Sequence, residues 1–571
     1  MTTLTNIGTI RVPNEVSPRS KILIVGEAPG SEEESQRKPF VGISGDILIS
    51  VLGRAGVSRS EVTLANLCQY RPLPDNKFER LLGSKQLDEG KAELYALIHE
   101  LKPNIIIPLG NNPLQCITGK QSISRWRGSI ILAGNIKCIP TYHPAAVARD
   151  RSLYPIFDLD IRRAVEDSKF PEPKLPERKY VLNPQGMELE EYVQLLSDSD
   201  RIAVDIETIR RSRHILCVGF APHSKLGVSI NAEDVYGQLA IRRILESPAK
   251  KIFHFGSFDT AQLKLNGYNV ENYWWDTLVA QHALNPELPR ALDFLCSIYT
   301  RQPYYKKEGR GEIPGDVKSW GLKEDKLGLF KYNATDVCVT AEIQKEQELE
   351  LEEDQLARGV FDFEMEELEM TLDISLTGML RDEERKMFIH KAIATKRDER
   401  QYILNGLSEE LVNVRSPKLK TLLYEKLGLP TRRNRNGGVT TDEDAIVSLI
   451  GYCKDGLNSV SRPDAVLNWK VKLAICQLIL EIRGIRQLIS NYMKPTNDDG
   501  RVRSTYKCAA TETGRWSAEK FVDGTGINSQ TVPREALDIP EEIKEDINVI
   551  DEDEDGDSED EGLVESGSST E

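Results

Sequence analysis

Apolar and polar positions follow two rhythms along this chain, and the changes of rhythm mark its parts. Short apolar runs of strand length occupy residues 21–25 (Lys-Ile-Leu-Ile-Val), 62–67, 104–109 and 130–139. Between them, residues 44–55 and 87–101 repeat their apolar positions at helical spacing. This alternation predicts a mostly parallel sheet with helices on both faces, and such sheets gather ligands at the carboxyl ends of their strands. Residues 169–179 interrupt the pattern with three prolines among charges and read as a linker. A second α/β unit begins at residues 201–205 and runs to about 347. From 349 to 410 the pattern is helical and highly charged; more helices reach to about 491, and a strand-and-turn segment ends near 534. No repeat of solenoid period is present. The expected fold class is therefore multidomain α/β with a helical C-terminal part. The expected limits are 1–168 for the first domain, 169–179 for the linker, 180–348 for the second domain, 349–535 for the helical region and 536–571 for a tail.

Composition narrows the class. The 571 residues are 39% hydrophobic and 29% charged, as in a water-soluble globular protein, and contain no apolar run long enough to span a bilayer. The first twenty residues lack a signal pattern, and the nine cysteines include no Cys-x-x-Cys pair. Both point to a reduced, cytoplasmic setting and away from a disulfide framework or structural zinc. The net charge of −16 is uneven. Residues 536–571 hold one Lys and 16 Asp/Glu, or −15, whereas the remainder carries 73 basic and 74 acidic residues. That tail cannot bury enough apolar surface to offset its ordering entropy and is expected to be disordered. The near-neutral body leaves room for local basic patches that bind polyanions.

The strongest chemistry lies in the second unit. Asp205-Ile206-Glu207 places two carboxylates at i and i+2, side by side on one face of a strand. Like charges so placed repel unless a cation joins them, although most isolated Asp-x-Glu pairs are merely solvated. Asp259 follows another strand-like run, and Tyr332 and Asp336 stand at i and i+4, on one face of a helix. The order Asp-x-Glu, Phe258-Asp259, Tyr-x-x-x-Asp resembles the proofreading 3′–5′ exonuclease domain of family A DNA polymerases, and Asp276-Thr277-Leu278-Val279-Ala280 adds to it. The resemblance implies that Asp205, Glu207, Asp259 and Asp336 hold two Mg²⁺ or Mn²⁺ ions and that Tyr332 orients the attacking water. One departure is Phe255, where the family usually has Asn after the His.

In the first unit, Gly26-Glu27-Ala28-Pro29-Gly30 follows the first apolar run and Pro39-Phe40-Val41-Gly42 comes soon after. Further along lie Asn66, Arg71-Pro72, Arg127-Gly128 and Thr141-Tyr142-His143-Pro144. Together they resemble the family 4 uracil-DNA glycosylases over roughly residues 20–167. The resemblance implies a pocket for a base taken out of the stack, with Phe40 stacking on it and Asn66 bonding its edge. His143 would stabilise charge on the leaving base, and Glu27 would position water or stabilise the cationic sugar. The family commonly carries an iron–sulfur cluster on four cysteines. Only Cys68, Cys116 and Cys138 fall here, so none is expected, and turnover by this domain stays open against binding alone.

In the third region, Glu364 to Met379 and Asn413 to Pro430 resemble the start of the polymerase region and the thumb of family A enzymes. Residues 411–440 hold seven Lys/Arg and one Glu, and Lys418, Arg432 and Arg433 are candidate phosphate contacts. Thr511-Glu512-Thr513-Gly514-Arg515-Trp516-Ser517 resembles the family's T-x-T-G-R-L-S segment, with Trp516 for Leu and Arg515 a candidate DNA contact. The D-Y-S and H-D-E carboxylates that support nucleotide addition are not found after residue 534. The leading expectation is the N-terminal, proofreading part of a split, phage-like family A polymerase. Its expected partners are DNA (single-stranded 3′ ends and primer–template) and a second polymerase chain, with no membrane. A stand-alone repair protein and a non-enzymatic DNA-binding scaffold are the alternatives.

Overall fold

Alternate residues of the first apolar run go to opposite cores. Ile22 and Ile24 join Leu48, Leu64 and Phe157 on one side of a sheet, while Leu23 and Val25 join Leu94, Leu114 and Trp126 on the other. A strand covered on both faces must be apolar throughout, which is why these runs do not alternate with polar residues. The computed structural model describes residues 7–209, 211–306, 326–434, 437–494, 497 and 499–532; the acidic tail 536–571 lies outside the described residues.

The strands of the first two domains are β1 (Ile7–Arg11), β2 (Ile22–Gly26), β3 (Val62–Asn66), β4 (Tyr70–Pro72), β5 (Ile105–Pro108), β6 (Ile131–Ala133), β7 (Ile136–Cys138), β8 (Lys179–Leu182), β9 (Arg201–Thr208), β10 (Ile215–His223), β11 (Leu226–Asn231), β12 (Lys250–Phe253) and β13 (Tyr273–Asp276). The first sheet has the order β3-β2-β5-β7-β6, parallel except for the β6/β7 pair. The run 130–139, expected as one strand, is a hairpin. Gly134 takes a φ of +60° and turns the chain, so β6 and β7 pair antiparallel.

The second sheet has the order β13-β12-β9-β10-β11-β8 and mixes parallel and antiparallel pairs. Its first strand along the chain is β8, which precedes the apolar run at 201–205. Ile202, Val204 and Ile206 of β9 face a core built with the helices Gly186–Ser197 and Val235–Leu245. Ala203 faces the opposite core with Val337 and Cys338, so Asp205 and Glu207, of the same parity, lie on the side of the helix Lys326–Glu353. Gly219 and Gly227 let that helix come close: a Cβ at Gly219 would stand 2.6 Å from Asn333 Oδ1, and one at Gly227 2.3 Å from the Ala334 carbonyl oxygen. The expected limit at 348 falls inside this helix.

The chain divides into two compact units, residues 1–372 with 507–517, and residues 373–506 with those from 518 on. The second unit packs the helices Glu383–Ser408, Glu443–Asn458 and Pro463–Tyr492 around Leu404, Leu422, Ile446, Leu449, Ile475 and Ile479. No helix among the described residues is long and apolar enough to cross a membrane.

Candidate functional site

The carboxyl ends of β2, β3, β5 and the segment after β7 converge on a cavity of about 830 Å³ lined by Glu27, Phe40, Asn66 and His143, with Glu33, Asn112 and Arg149. Gly26 is the floor under two of these groups. A Cβ there would stand 2.5 Å from Asn66 Oδ1 and 2.7 Å from Phe40 Cζ. Phe40 itself has a φ of +51°, which is uncommon for an aromatic residue. Its neighbours hold it there: Glu33 accepts from the Val41 and Gly42 N–H groups (3.3 and 3.1 Å), and Arg59 donates to the Phe40 carbonyl (2.7 Å).

His143 caps the helix Pro144–Arg149, its Nδ1 accepting from the Ala145 N–H at 3.2 Å. Acceptance at Nδ1 places the proton of the neutral ring on Nε2, as a donor. Burial, reinforced by the Arg149 charge, lowers the His143 pKa to about 4. Burial also raises Glu27 above the usual carboxylate range, against the Asn112 amide that donates to its Oε1 at 2.9 Å. Glu33 and Asn112 were not singled out from the sequence. Glu33 sits in a Ser-Glu-Glu-Glu run that reads as a solvated helix face. Of the domain's three cysteines, Cys68 and Cys138 are buried and Cys116 is half-buried.

In the second domain, Asp205, Glu207 and Asp336 bring carboxylate oxygens within 4.8 Å of one another. Asn333, one turn before Asp336, donates to Asp205 Oδ2 at 2.8 Å and is oriented by the Ser229 hydroxyl at 2.7 Å. Asp259, on the helix Gly256–Leu265, stands beside this trio, accepting from the Ile206 N–H at 3.0 Å. Burial and mutual repulsion push Asp205 up to about 8 and raise Glu207 and Asp259 as well. Carboxylates raised in this way favour a nearby positive charge, and the donors of the cluster are all hard oxygens, which suits Mg²⁺ or Mn²⁺. Tyr332 lies on the same helix; its hydroxyl accepts from Lys306 Nζ, which also lies 3.2 Å from Asp336 Oδ2. Tyr305 donates to Asp336.

Asp276 organises the approach. Its carboxylate accepts from the Phe255 and Gly256 N–H groups (3.0 and 2.8 Å), from the Leu278 N–H (2.8 Å) and from the Tyr273 hydroxyl (2.6 Å), so one buried acid ties together the starts of two helices. Phe255, the departure noted above, has a φ of +58°, a region Asn enters readily. The Lys507 ammonium lies 4.7 Å from its ring centroid.

The remaining candidates divide. Lys418 and Arg433 are exposed and Arg432 is half-buried, all in the second unit; Arg515 is exposed in the first. Trp516, beside Arg515, packs against the core of Trp275, Phe361 and Leu368 and donates its Nε1–H to Glu367 at 3.2 Å.

Comparison with known proteins separates the same regions. Residues 13–167 match the uracil DNA glycosylase superfamily, and residues 184–352 match a 3′–5′ exonuclease family of DNA polymerase A type. The type-4 uracil-DNA glycosylase of Saccharolobus solfataricus is 33% identical over 168 residues, 27% of this chain and 74% of that protein. The DNA polymerase of Bacillus phage SP01 is 29% identical over 207 residues (35% of this chain, 22% of that protein). DNA polymerase I of Bacillus subtilis is 26% identical over 290 residues (48% and 28%). The match thus spans less than a third of either polymerase.

Proposed function

Since the chain belongs, through residues 13–167, to the type-4 uracil-DNA glycosylase family and carries a family A 3′–5′ exonuclease domain in residues 184–352, we propose that it acts at both sites on DNA. It would trim 3′ ends at the carboxylate cluster and excise uracil at the Glu27–His143 pocket, as the proofreading part of a split family A polymerase. The observation that carries the nuclease reading is the convergence of Asp205, Glu207 and Asp336 beside Tyr332.

Asp205, Glu207, Asp259 and Asp336 would hold two divalent ions, which when bound supply Lewis acidity at the scissile phosphate and an activated water. Tyr332 would orient the attacking water, and burial with the neighbouring carboxylates raises its pKa, which keeps the phenol protonated. Asn333 holds Asp205 in place by donating to its Oδ2. In the first domain, Phe40 stacks on the extruded base and Asn66 bonds its edge. The neutral His143 donates its Nε2–H to the base oxygen that gains charge as the glycosidic bond breaks. Glu27, held by Asn112, faces the sugar.

The test uses the full chain. With Mg²⁺ or Mn²⁺ it releases mononucleotides from a labelled single-stranded 3′ end, and with a uracil-containing oligonucleotide it leaves alkali-labile abasic sites. A protein doing neither would end the reading. The proposal extends to a second chain carrying the D-Y-S and H-D-E segments. It is supported by the Thr511–Ser517 resemblance and by the exposure of Met379 and Leu380 on a two-stranded pair with Arg501 and Val502. Primer extension by the mixture, and not by this chain alone, is the expected result.

A further inference from the structure

Residues 297–306 leave the second domain, cross the first and return. At the near end, Arg127 donates to Ser297 Oγ at 2.7 Å while its guanidinium pairs with the buried Asp160, and Arg163 donates to the Ser297 and Thr300 carbonyls. Further along, Arg301 pairs with Asp167, and the Tyr304 N–H donates to Ser129 Oγ at 2.8 Å. The Tyr304 ring packs on Trp126 with centroids 5.0 Å apart. The next two residues turn into the acidic cluster, where Tyr305 donates to Asp336 and Lys306 reaches Tyr332 and Asp336. Consecutive residues of one strap therefore serve two domains: the glycosylase-like domain anchors 297–304, and the nuclease site receives 305 and 306.

The charge at the receiving end has a purpose that packing alone does not require. With two divalent ions bound, the four carboxylates would be ionised and their charge of −4 cancelled, leaving no net attraction for a phosphodiester of charge −1. Lys306, with a side chain 25% exposed, brings the loaded site to +1. Because its ammonium donates to the Tyr332 oxygen, the phenol proton is left to point to an acceptor.

We infer that Lys306 is a positioning residue of the 3′–5′ exonuclease site, orienting Tyr332 and Asp336, and that the strap 297–306 anchored on the glycosylase-like domain holds it there. This rests on the nuclease reading given above. The consequence is mechanical dependence of one activity on the neighbouring domain: the nuclease site is complete only while Tyr304 stays seated on Trp126 and Ser129.

The experiment compares the wild-type full chain with Lys306→Met and Lys306→Arg, by Mn²⁺ titration calorimetry and by single-turnover release of a 3′ nucleotide. Lys306→Met removes a cation from beside the carboxylates, so Mn²⁺ binds several-fold tighter. Nucleotide release slows by about tenfold to a hundredfold because Tyr332 and Asp336 lose their alignment. Lys306→Arg restores both values most of the way. Tighter metal with slower chemistry is a pairing that simple loosening of the site does not give. For the strap, Tyr304→Ala with Ser129→Ala slows release in the same direction, and adding Lys306→Met to that pair changes little further, a non-additive cycle. Unchanged release in Lys306→Met, or metal binding and rate weakening together without rescue by Arg, overturns the role of Lys306. Additive effects overturn the role of the strap. A wild-type chain that neither binds Mn²⁺ nor releases nucleotides overturns the nuclease reading itself, and this inference with it.

Discussion

The two candidate sites of the first unit both sit at strand ends in α/β sheets, yet they are electrostatic opposites. The glycosylase-like cavity is roomy and nearly uncharged at its working end: a neutral His143, a Glu27 raised by burial and an Asn66 brought close over Gly26. The nuclease site crowds carboxylates from β9 and the helix Lys326–Glu353, and burial with like charge makes Asp205 and Glu207 resist ionising. On the proposed reading one site would work by shape and a fixed donor, the other by negative charge that bound cations relieve. Two such sites can share a compact unit because their requirements do not compete: one needs a void, the other a charge.

Four experiments would break or sharpen that contrast. The largest effect belongs to Asp205→Ala with Glu207→Ala, which should lower 3′ nucleotide release by roughly a thousandfold or more while leaving uracil excision intact. Chelation by EDTA should reproduce the same split. The double variant should melt at or above the wild-type temperature, because it removes like-charge repulsion. A chelator that stops both activities would show that the sites are not electrostatically separate.

Next comes His143→Ala, which should slow uracil excision by about a hundredfold to a thousandfold and leave the nuclease unchanged. The pH profile carries its own check. With a folded pKa of about 4 against an unfolded 6.5, His143 stays neutral in the native protein, so excision should not lose a His titration between pH 5.5 and 8. Since the folded state resists the proton, stability contributed by the neutral ring is complete above the unfolded value. It is lost as pH falls from about 6.5 toward 4, by roughly 3 kcal/mol at the limit. Denaturant unfolding of wild type and His143→Gln at pH 4.5 and 7.5 measures this; an equal pH dependence in the two proteins would refute it.

Asp276→Asn probes the acid that ties two helix starts together. The amide keeps one acceptor oxygen for four donors, so about 1–3 kcal/mol of stability should go, read as a lower urea midpoint. Nuclease activity should fall with it and uracil excision should not. The smallest effect is expected from Gly26→Ala, whose new methyl would displace Asn66 and the Phe40 ring. Uracil excision should lose about tenfold, mainly in KM, with no change at the nuclease site.

Much of this was legible in the residues, for reasons that can be stated. Strand and helix periods follow from backbone geometry, so Asp205 and Glu207 had to share a face and Tyr332 and Asp336 had to be neighbours. By pattern the run 130–139 reads as one strand because its apolar residues outweigh the Gly134-Asn135 pair, although that pair is itself a turn signal. Lys306 and Tyr305 gave no such clue. They lie about 30 residues from Asp336 in sequence, in a segment without periodicity, and only the anchoring of Tyr304 on Trp126 directs them to it.

What the chain's order of residues determines by itself is local: which segments are strands or helices, which faces they bury, and where acids, glycines and a capping histidine fall. These are consequences of dihedral preference and period, and they act over a few residues at a time. What only the tertiary structure decided is which distant groups meet. The helix Lys326–Glu353 lies against β10 and β11 closely enough, over Gly219 and Gly227, to set Asn333 on Asp205 and Asp336 beside Glu207. The strap residues reach the same place from the other domain. Such meetings are fixed by close packing and by the pairing of buried charges, both of which depend on all the surfaces at once.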